Sequence, residues 1–279
     1  TDVLMLGWLG ARELAAATLG FNLAMTAAIF CMGLITASAP MMASEIGRMQ
    51  HSVRDVRRTF REALWAAVAV ILPFWILLWN TEALLVTFGQ QPDLAAIAGT
   101  YIGAYMWSIL PFLFFIILRN FISALEQPVW ALIISVIAVM SNALFNYALI
   151  FGKFGVPEFG VVGAGIGSVM TNVLMFAGMA IVVMRHLFGR FWRSDWQRFR
   201  AMWKLGLPIA VTMGLEGSVF GFAALLMGLI STASVAAHAI ALQLAALTFM
   251  VPMGLGQAAT VRVGIQYGRK DHAAIKRAG

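Results

Sequence analysis

Charge is what this sequence has least of. Lys, Arg, Asp and Glu make up 11% of its 279 residues, whereas 61% are hydrophobic and the mean hydropathy is +0.87. A soluble domain carries about 25% charged residues, so this inventory cannot cover a water-exposed surface. Cysteine is nearly absent as well. The single Cys31 sits in an apolar stretch, which excludes an intrachain disulfide framework and a Cys-rich metal site. No nucleophile–base pair suggests an enzyme, and no paired intramembrane histidine suggests haem. The chain opens at Thr1 in mid-pattern, without the charged-then-apolar order of a secretory leader.

What the sequence has is a succession of apolar stretches, each long enough to cross ~30 Å of hydrocarbon as a helix. The first, residues 1–10, reads as the outer end of a helix. Seven full spans follow, at about 13–46, 60–88, 95–123, 128–151, 161–187, 204–230 and 234–266. The expected fold is therefore all-α, a polytopic bundle of transmembrane helices. Pro73, Pro111, Pro208 and Pro252 fall inside spans, where neighbouring helices can satisfy the freed backbone groups.

The net charge of +7 raises the question of nucleic acid, but the placement of the basic residues answers it. Seventeen of the nineteen Lys and Arg fall in alternate connections: 48–61, the end of the fourth span at Arg119, 185–204 and the tail from Arg262 onward. Only Arg12 and Lys153 lie on the other side. By the positive-inside rule the rich side is cytoplasmic, and nucleic acid is not an expected partner. His51, His186 and His272 lie in these basic connections and are expected to be solvated. His238, near the outer end of its span, is expected to make a structural hydrogen bond.

Residues 7–48 align without a gap onto residues 228–269, an offset of 221, with 11 of 42 positions identical. Both copies end in Gly-Arg on the cytoplasmic side, at Gly47-Arg48 and Gly268-Arg269. Parallel repeats of this kind mark the two halves of some secondary transporters. A repeat of this length holds six helices, so two repeats need roughly twice that length. The expectation is an N-terminal lobe over 1–188, a cytoplasmic linker over 189–203, and the start of a second lobe over 204–279. On this arithmetic most of the first helix and the last four lie beyond the chain, and residues 1–279 alone are not expected to transport.

Few polar residues sit inside the spans. Glu216 lies twelve residues after Lys204, ~18 Å along a helix and near the midplane. Asp2 lies ~12 Å below the outer end of its helix. An ionised carboxylate there costs on the order of 2.5–3.5 kcal/mol on insertion scales, and such residues usually mark ion or proton paths. Asn142 and Asn146, four apart, share one helix face. They lie at a depth similar to that of Asp2, as does Ser168. Interhelical hydrogen bonding is the simpler account of this group. The run Gly163-Ala164-Gly165-Ile166-Gly167 has the spacing of a dinucleotide loop, but it follows no strand and is expected to pack helices closely. The 17 Met and 20 Phe suit an adaptable drug cavity, although most are expected to face lipid or core.

Several segments resemble the multidrug and toxic compound extrusion (MATE) family. Ala236-Ala237-His238 through Thr248-Phe249-Met250-Val251-Pro252-Met253-Gly254, then Gln257-Ala258-Ala259 and Val261-Arg262-Val263-Gly264, is similar to the family's eighth-helix signature. Asn146-Tyr147 through Phe151-Gly152-Lys153-Phe154-Gly155, then Pro157, Gly160 and Gly163-Ala164, resembles the end of its fifth helix and the start of its sixth. Lys204-Leu205-Gly206-Leu207-Pro208 is similar to the beginning of its seventh. Ala239 departs from the Gln that many members carry after Ala-Ala-His.

The resemblance implies two six-helix lobes facing a central cavity and exchange of amphipathic or cationic drugs for external Na+ or H+, with no other cofactor. It implies that Asp2, Asn142, Asn146 and Ser168 form a coupling site in the first lobe. The second helix-five position, acidic in some members, is Asn146 here. Glu216 matches a seventh-helix carboxylate whose members bind a cation in the second lobe. It is thus a candidate Na+ ligand, with partners on a tenth helix this chain does not contain. The bilayer is the expected environment, the bacterial inner membrane the expected location, and the monomer the expected state of the full-length protein. The competing readings are a lipid-linked saccharide flippase of the same superfamily and a non-transport integral membrane subunit. A flippase would need a large cavity with a basic lining, and no span carries a central Lys or Arg.

Overall fold

A computed structural model describes residues 2–48, 52–187, 195–230 and 232–278. Within these ranges the side chains of 2–4, 11, 52–53, 185–187, 220–222, 224–230, 232–237, 239–240 and 243 are outside the description. The described residues form helices and connections, with no strand. In order they are α1 (Asp2–Leu9), α2 (Ala11–Thr36), α3 (Ser38–Gly47), α4 (Ser52–Trp79), α5 (Thr81–Thr87), α6 (Pro92–Tyr105), α7 (Ile109–Ala124), α8 (Val129–Phe151), α9 (Gly160–Leu187), α10 (Trp196–Ile230), α11 (Thr232–Arg269) and α12 (His272–Ala278). Six stretches among the described residues are long and apolar enough to cross a membrane. The seventh expected span, 204–230, runs within α10.

Three of the expected spans are each built from two helices; proline explains two of the breaks, and the third, at Asn80 between α4 and α5, has none. Pro40 lacks the N–H that would bond the Thr36 carbonyl, and its ring crowds that carbonyl, so α2 gives way to α3 at Ala37. Pro111 stands in the same relation to Trp107, and residues Met106–Ser108 wind into a tighter 3₁₀ turn between α6 and α7. Pro92 opens α6, where a missing N–H costs nothing. Gly152 ends α8 in the left-handed conformation (φ 64°), and the Lys153 N–H then donates back to the Ala148 carbonyl at 3.0 Å. The largest difference from the sequence reading is at α10. It begins at Trp196, so residues 196–203, read as linker, are already helical.

The core is a single cluster threaded by α2, α3, α4, α6, α7 and α9. Leu34, Ile35, Met42, Ile71, Ile102, Leu113 and Ile117 are all fully buried in it. Outward faces are equally apolar: Trp79, Met140, Ile181 and Leu255 are each about 70% exposed. A bundle that is apolar both inside and outside belongs in lipid, and the chain is a multi-pass integral membrane protein.

The Gly163–Gly167 run packs helices, as its spacing implies. A Cβ on Gly163 would lie 2.5 Å from the Leu149 carbonyl oxygen of α8. One on Gly165 would lie 2.8 Å from Ala104 Cβ of α6. With no side chains between them, α9 meets α8 and α6 almost backbone to backbone.

Candidate functional site

The first group of polar residues lies between α8 and α9. Asn146 is completely buried, and its amide donates to Asn142 Oδ1 at 3.3 Å, one helical turn away. Asn142 Nδ2 donates across to Thr171 Oγ1 on α9 at 3.3 Å. Thr171 Oγ1 in turn donates to the Gly167 carbonyl at 2.8 Å. Gly167 is needed there, because a Cβ at that position would fall on Asn146 Oδ1. Ser168, 6% exposed, follows directly on the same helix. The structure therefore brings Asn142 and Asn146 of α8 against α9, in which Ser168 is buried.

Thr171 belongs to this group and was not singled out from the sequence. It lies three residues after Ser168, on the same helix face, and that spacing was the available signal. One residue further, Asn172 Nδ2 donates to the Ser108 carbonyl at 3.2 Å, tying α9 to the 3₁₀ turn.

Asp2 lies on α1, which packs against α8 and α9. Its side chain is outside the described residues, so its expected contact with Asn142 or Asn146 is outside them too. Its height is nonetheless set by the backbone. Trp8 of α1 meets Phe151 of α8 with ring centroids 6.1 Å apart, and both helices run outward. Asp2 is six residues below Trp8, ~9 Å. Asn146 and Asn142 are five and nine residues below Phe151, ~7.5 and ~13.5 Å. The Asp2 backbone thus lies level with the interval between the two asparagines.

Glu216 is elsewhere, on α10. That helix lies against α2 through small residues and runs antiparallel to it. A Cβ on Gly206 would be 2.5 Å from the Leu34 carbonyl oxygen, and one on Gly217 would be 3.7 Å from Ile29 Cδ1. The neighbouring Glu216 is therefore level with Ile29, midway along the Arg12–Gly47 span, which agrees with the depth read from the sequence. Its side chain is exposed and has no hydrogen-bond partner among the described residues. No cluster of three or more His, Cys, Asp or Glu able to hold a metal ion occurs among the described residues. The Nε2 of His238 is buried, with no hydrogen-bond partner among the described residues.

On the cytoplasmic side a cavity of about 640 Å³ opens between α2, α7 and α11. Its lining includes Thr36, Arg119, Asn120, Gln257, Thr260 and Arg262. The Nε of Arg119 is buried, with no hydrogen-bond partner among the described residues.

The repeat is visible in space. α3 and α11 pack in parallel, with contacts that are reciprocal at the 221-residue offset. A Cβ on Gly47 would fall on the Ile265 carbonyl oxygen and lie 3.0 Å from Gly268 Cα. A Cβ on Gly268 would fall on the Ser44 carbonyl oxygen and lie 2.9 Å from Gly47 Cα. Ser44 and Ile265 are counterparts in the alignment, as are Gly47 and Gly268. Such reciprocity is what a two-fold axis along the membrane normal produces.

Comparison with known proteins adds to this geometry. The MatE family model matches residues 1–148 and 208–279. The whole chain is 52% identical over 286 residues to the "Probable multidrug resistance protein NorM" of Mesorhizobium japonicum. It is 46% identical to a protein of the same name in Brucella suis. It spans 61% of the length of each. The crystal structure of the eukaryotic MATE transporter AtDTX14 superposes with a TM-score of 0.87 at 20% identity, covering 99% of this chain and 62% of that one.

Proposed function

The chain belongs to the MatE family, and from that membership we propose that the protein is a secondary antiporter of the bacterial inner membrane, exporting amphipathic or cationic drugs in exchange for Na+ or H+. Its lobes are then residues 1–188 and the helices from 204 onward, joined by 189–203, and it works as a monomer. The observation that carries this reading is Glu216, a carboxylate halfway along a membrane-spanning helix. A charge at that depth is costly unless a proton or a hard cation relieves it. A cation that binds one lobe arrangement better than the other shifts the equilibrium between them, and this differential affinity drives the exchange. The group of Asn142, Asn146, Thr171 and Ser168, with Asp2 level with it, supplies a second, neutral-lined position for the coupling ion.

The test is Glu216→Gln in the intact protein. The substitution keeps size and most hydrogen bonding but removes the charge. Efflux of a fluorescent cationic drug is followed under an imposed Na+ or H+ gradient, alongside surface expression and drug binding. The variant is expected to insert and bind drug yet lose gradient-driven efflux. Normal efflux would remove Glu216 from coupling and leave Asp2 as the carboxylate to test.

The cavity holding Arg119 and Arg262 favours one second reading, passage of an anionic amphipath such as a lipid-linked saccharide. Under that reading Arg119→Gln abolishes movement of the anionic substrate and leaves cationic drug efflux absent from the start.

A further inference from the structure

Arg198 was counted from the sequence only as part of a basic connection. In the structure all three of its guanidinium nitrogens are engaged. Nη1 donates to Glu45 Oε1 on α3, to Thr59 Oγ1 at 3.0 Å and to the Asp55 carbonyl at 3.1 Å, the latter two on α4. Nη2 donates to Asp55 Oδ1 at 2.9 Å, and Nε to Asp195 Oδ2 at 3.2 Å. Thr59 Oγ1 also donates to Glu45 Oε1 at 2.7 Å. The Asp195 N–H donates to Glu62 Oε1 at 2.7 Å, and Glu62 is 1% exposed. The start of α10 is thus fastened to α3 and α4 by charge-assisted hydrogen bonds whose acceptors lie 133–153 residues away in sequence.

The same short helix, α3, carries the reciprocal contact with α11. Ser44, whose carbonyl oxygen lies against Gly268, immediately precedes Glu45. The residue whose carbonyl closes against α11 and the residue whose side chain Arg198 grips are therefore adjacent. Asn120 holds α3 at its other end, donating to Ser38 Oγ at 3.1 Å. Because Pro40 detaches α3 from α2, the direction of α3 is set by these grips and not by continuation of the helix before it.

We propose that Arg198 is a positioning residue for cytoplasmic closure: it clamps Glu45 and Asp55 so that the carbonyl edge of α3 meets the glycine edge of α11. This rests on the two-lobe alternating reading above. Without the guanidinium, Glu45 loses its cationic partner, Asp55 keeps only Arg58 at 3.9 Å, and α3 loses the grip that aims it. The cytoplasmic contact then opens more easily.

The experiment places spin labels at Gln127→Cys, in the connection between α7 and α8, and at Tyr267→Cys on α11. Both positions are exposed, and the native Cys31 is buried and takes no label. Distance distributions are recorded on the intact protein in lipid nanodiscs. Arg198→Gln is expected to raise the ratio of the long-distance to the short-distance population on the order of tenfold, the factor for losing one charge-assisted hydrogen bond. Arg198→Lys, which keeps the charge but not the fork, is expected to restore the wild-type ratio in part. Gly268→Leu, which blocks the contact without touching the clamp, is expected to give the long distance alone. An unchanged distribution in Arg198→Gln, beside a shift in Gly268→Leu, overturns the proposal. If Arg198→Gln misfolds, Glu45→Gln replaces it. That variant removes one of the two acids and is expected to shift the ratio in the same direction, and no shift overturns the clamp. These distances do not depend on which ion or drug is carried. A shift seen in a protein without gradient-driven efflux therefore refutes the transport reading and leaves the clamp standing.

Discussion

α2 with α3 and α11 are two copies of one pattern, and within this chain, which spans 61% of the length of its relatives, only the first is enclosed. Leu34 and Leu255 are counterparts at the 221-residue offset, identical in sequence. Leu34 is 0% exposed and Leu255 is 68% exposed. Met253 is 49% exposed where its counterpart Met32 is part-buried against the core. The first copy is enclosed by α4, α6, α7 and α10, whereas the second touches chiefly α3, α10 and α12. At the cytoplasmic ends, where the copies meet each other, they share Gly47 and Gly268.

That comparison breaks most sharply at the shared edge. Gly47→Leu and Gly268→Leu each drive a side chain into a backbone carbonyl that cannot rotate away, a cost of about 3 kcal/mol or more. Both should lose gradient-driven efflux to the same extent while reaching the membrane. A large effect in one and none in the other would end the claim of two-fold equivalence. The unequal surroundings are tested by Leu34→Ala and Leu255→Ala. The first leaves a cavity in a closed core and should cost on the order of 2–5 kcal/mol. The second should change the thermal midpoint of this chain hardly at all, and equal losses would mean that α11 is enclosed as α2 is.

Polar pairs repeat the contrast at smaller scale. Asn146→Ala removes a buried interhelical hydrogen-bonding group and should lower stability by about 1 kcal/mol, readable as a shift in thermal unfolding in detergent. Arg12 meets Asp93 at 2.7 Å on the other side of the membrane, but the two side chains are 58% and 77% exposed. Arg12→Ala should therefore cost less than about 0.5 kcal/mol, and less still in high salt. A loss as large as that of Asn146→Ala would show that this surface pair is held by more than Coulomb attraction.

Much of the candidate site was legible because depth follows from counting residues along a helix. Glu216 came out at the midplane from its distance to Lys204, and Asn142, Asn146 and Ser168 were matched by height before any contact was known. Thr171 was missed because a single threonine in an apolar helix usually bonds its own backbone, as it also does here with Gly167. Arg198 was legible as a cytoplasmic charge and nothing more. Its partners Glu45 and Asp55 stand 153 and 143 positions away, and no local pattern links them.

By itself the sequence determined that the chain is helical and crosses a membrane, and the register of the repeat. Hydropathy decides the first two and residue-by-residue identity the third. Only the tertiary structure decided which face of each helix is enclosed, that Gly47 and Gly268 meet across the repeat, and that Arg198 grips α3. In lipid an outward leucine and an inward leucine cost the same, so hydrophobicity carries no record of the neighbour, and the packing of one helix on another has to supply it.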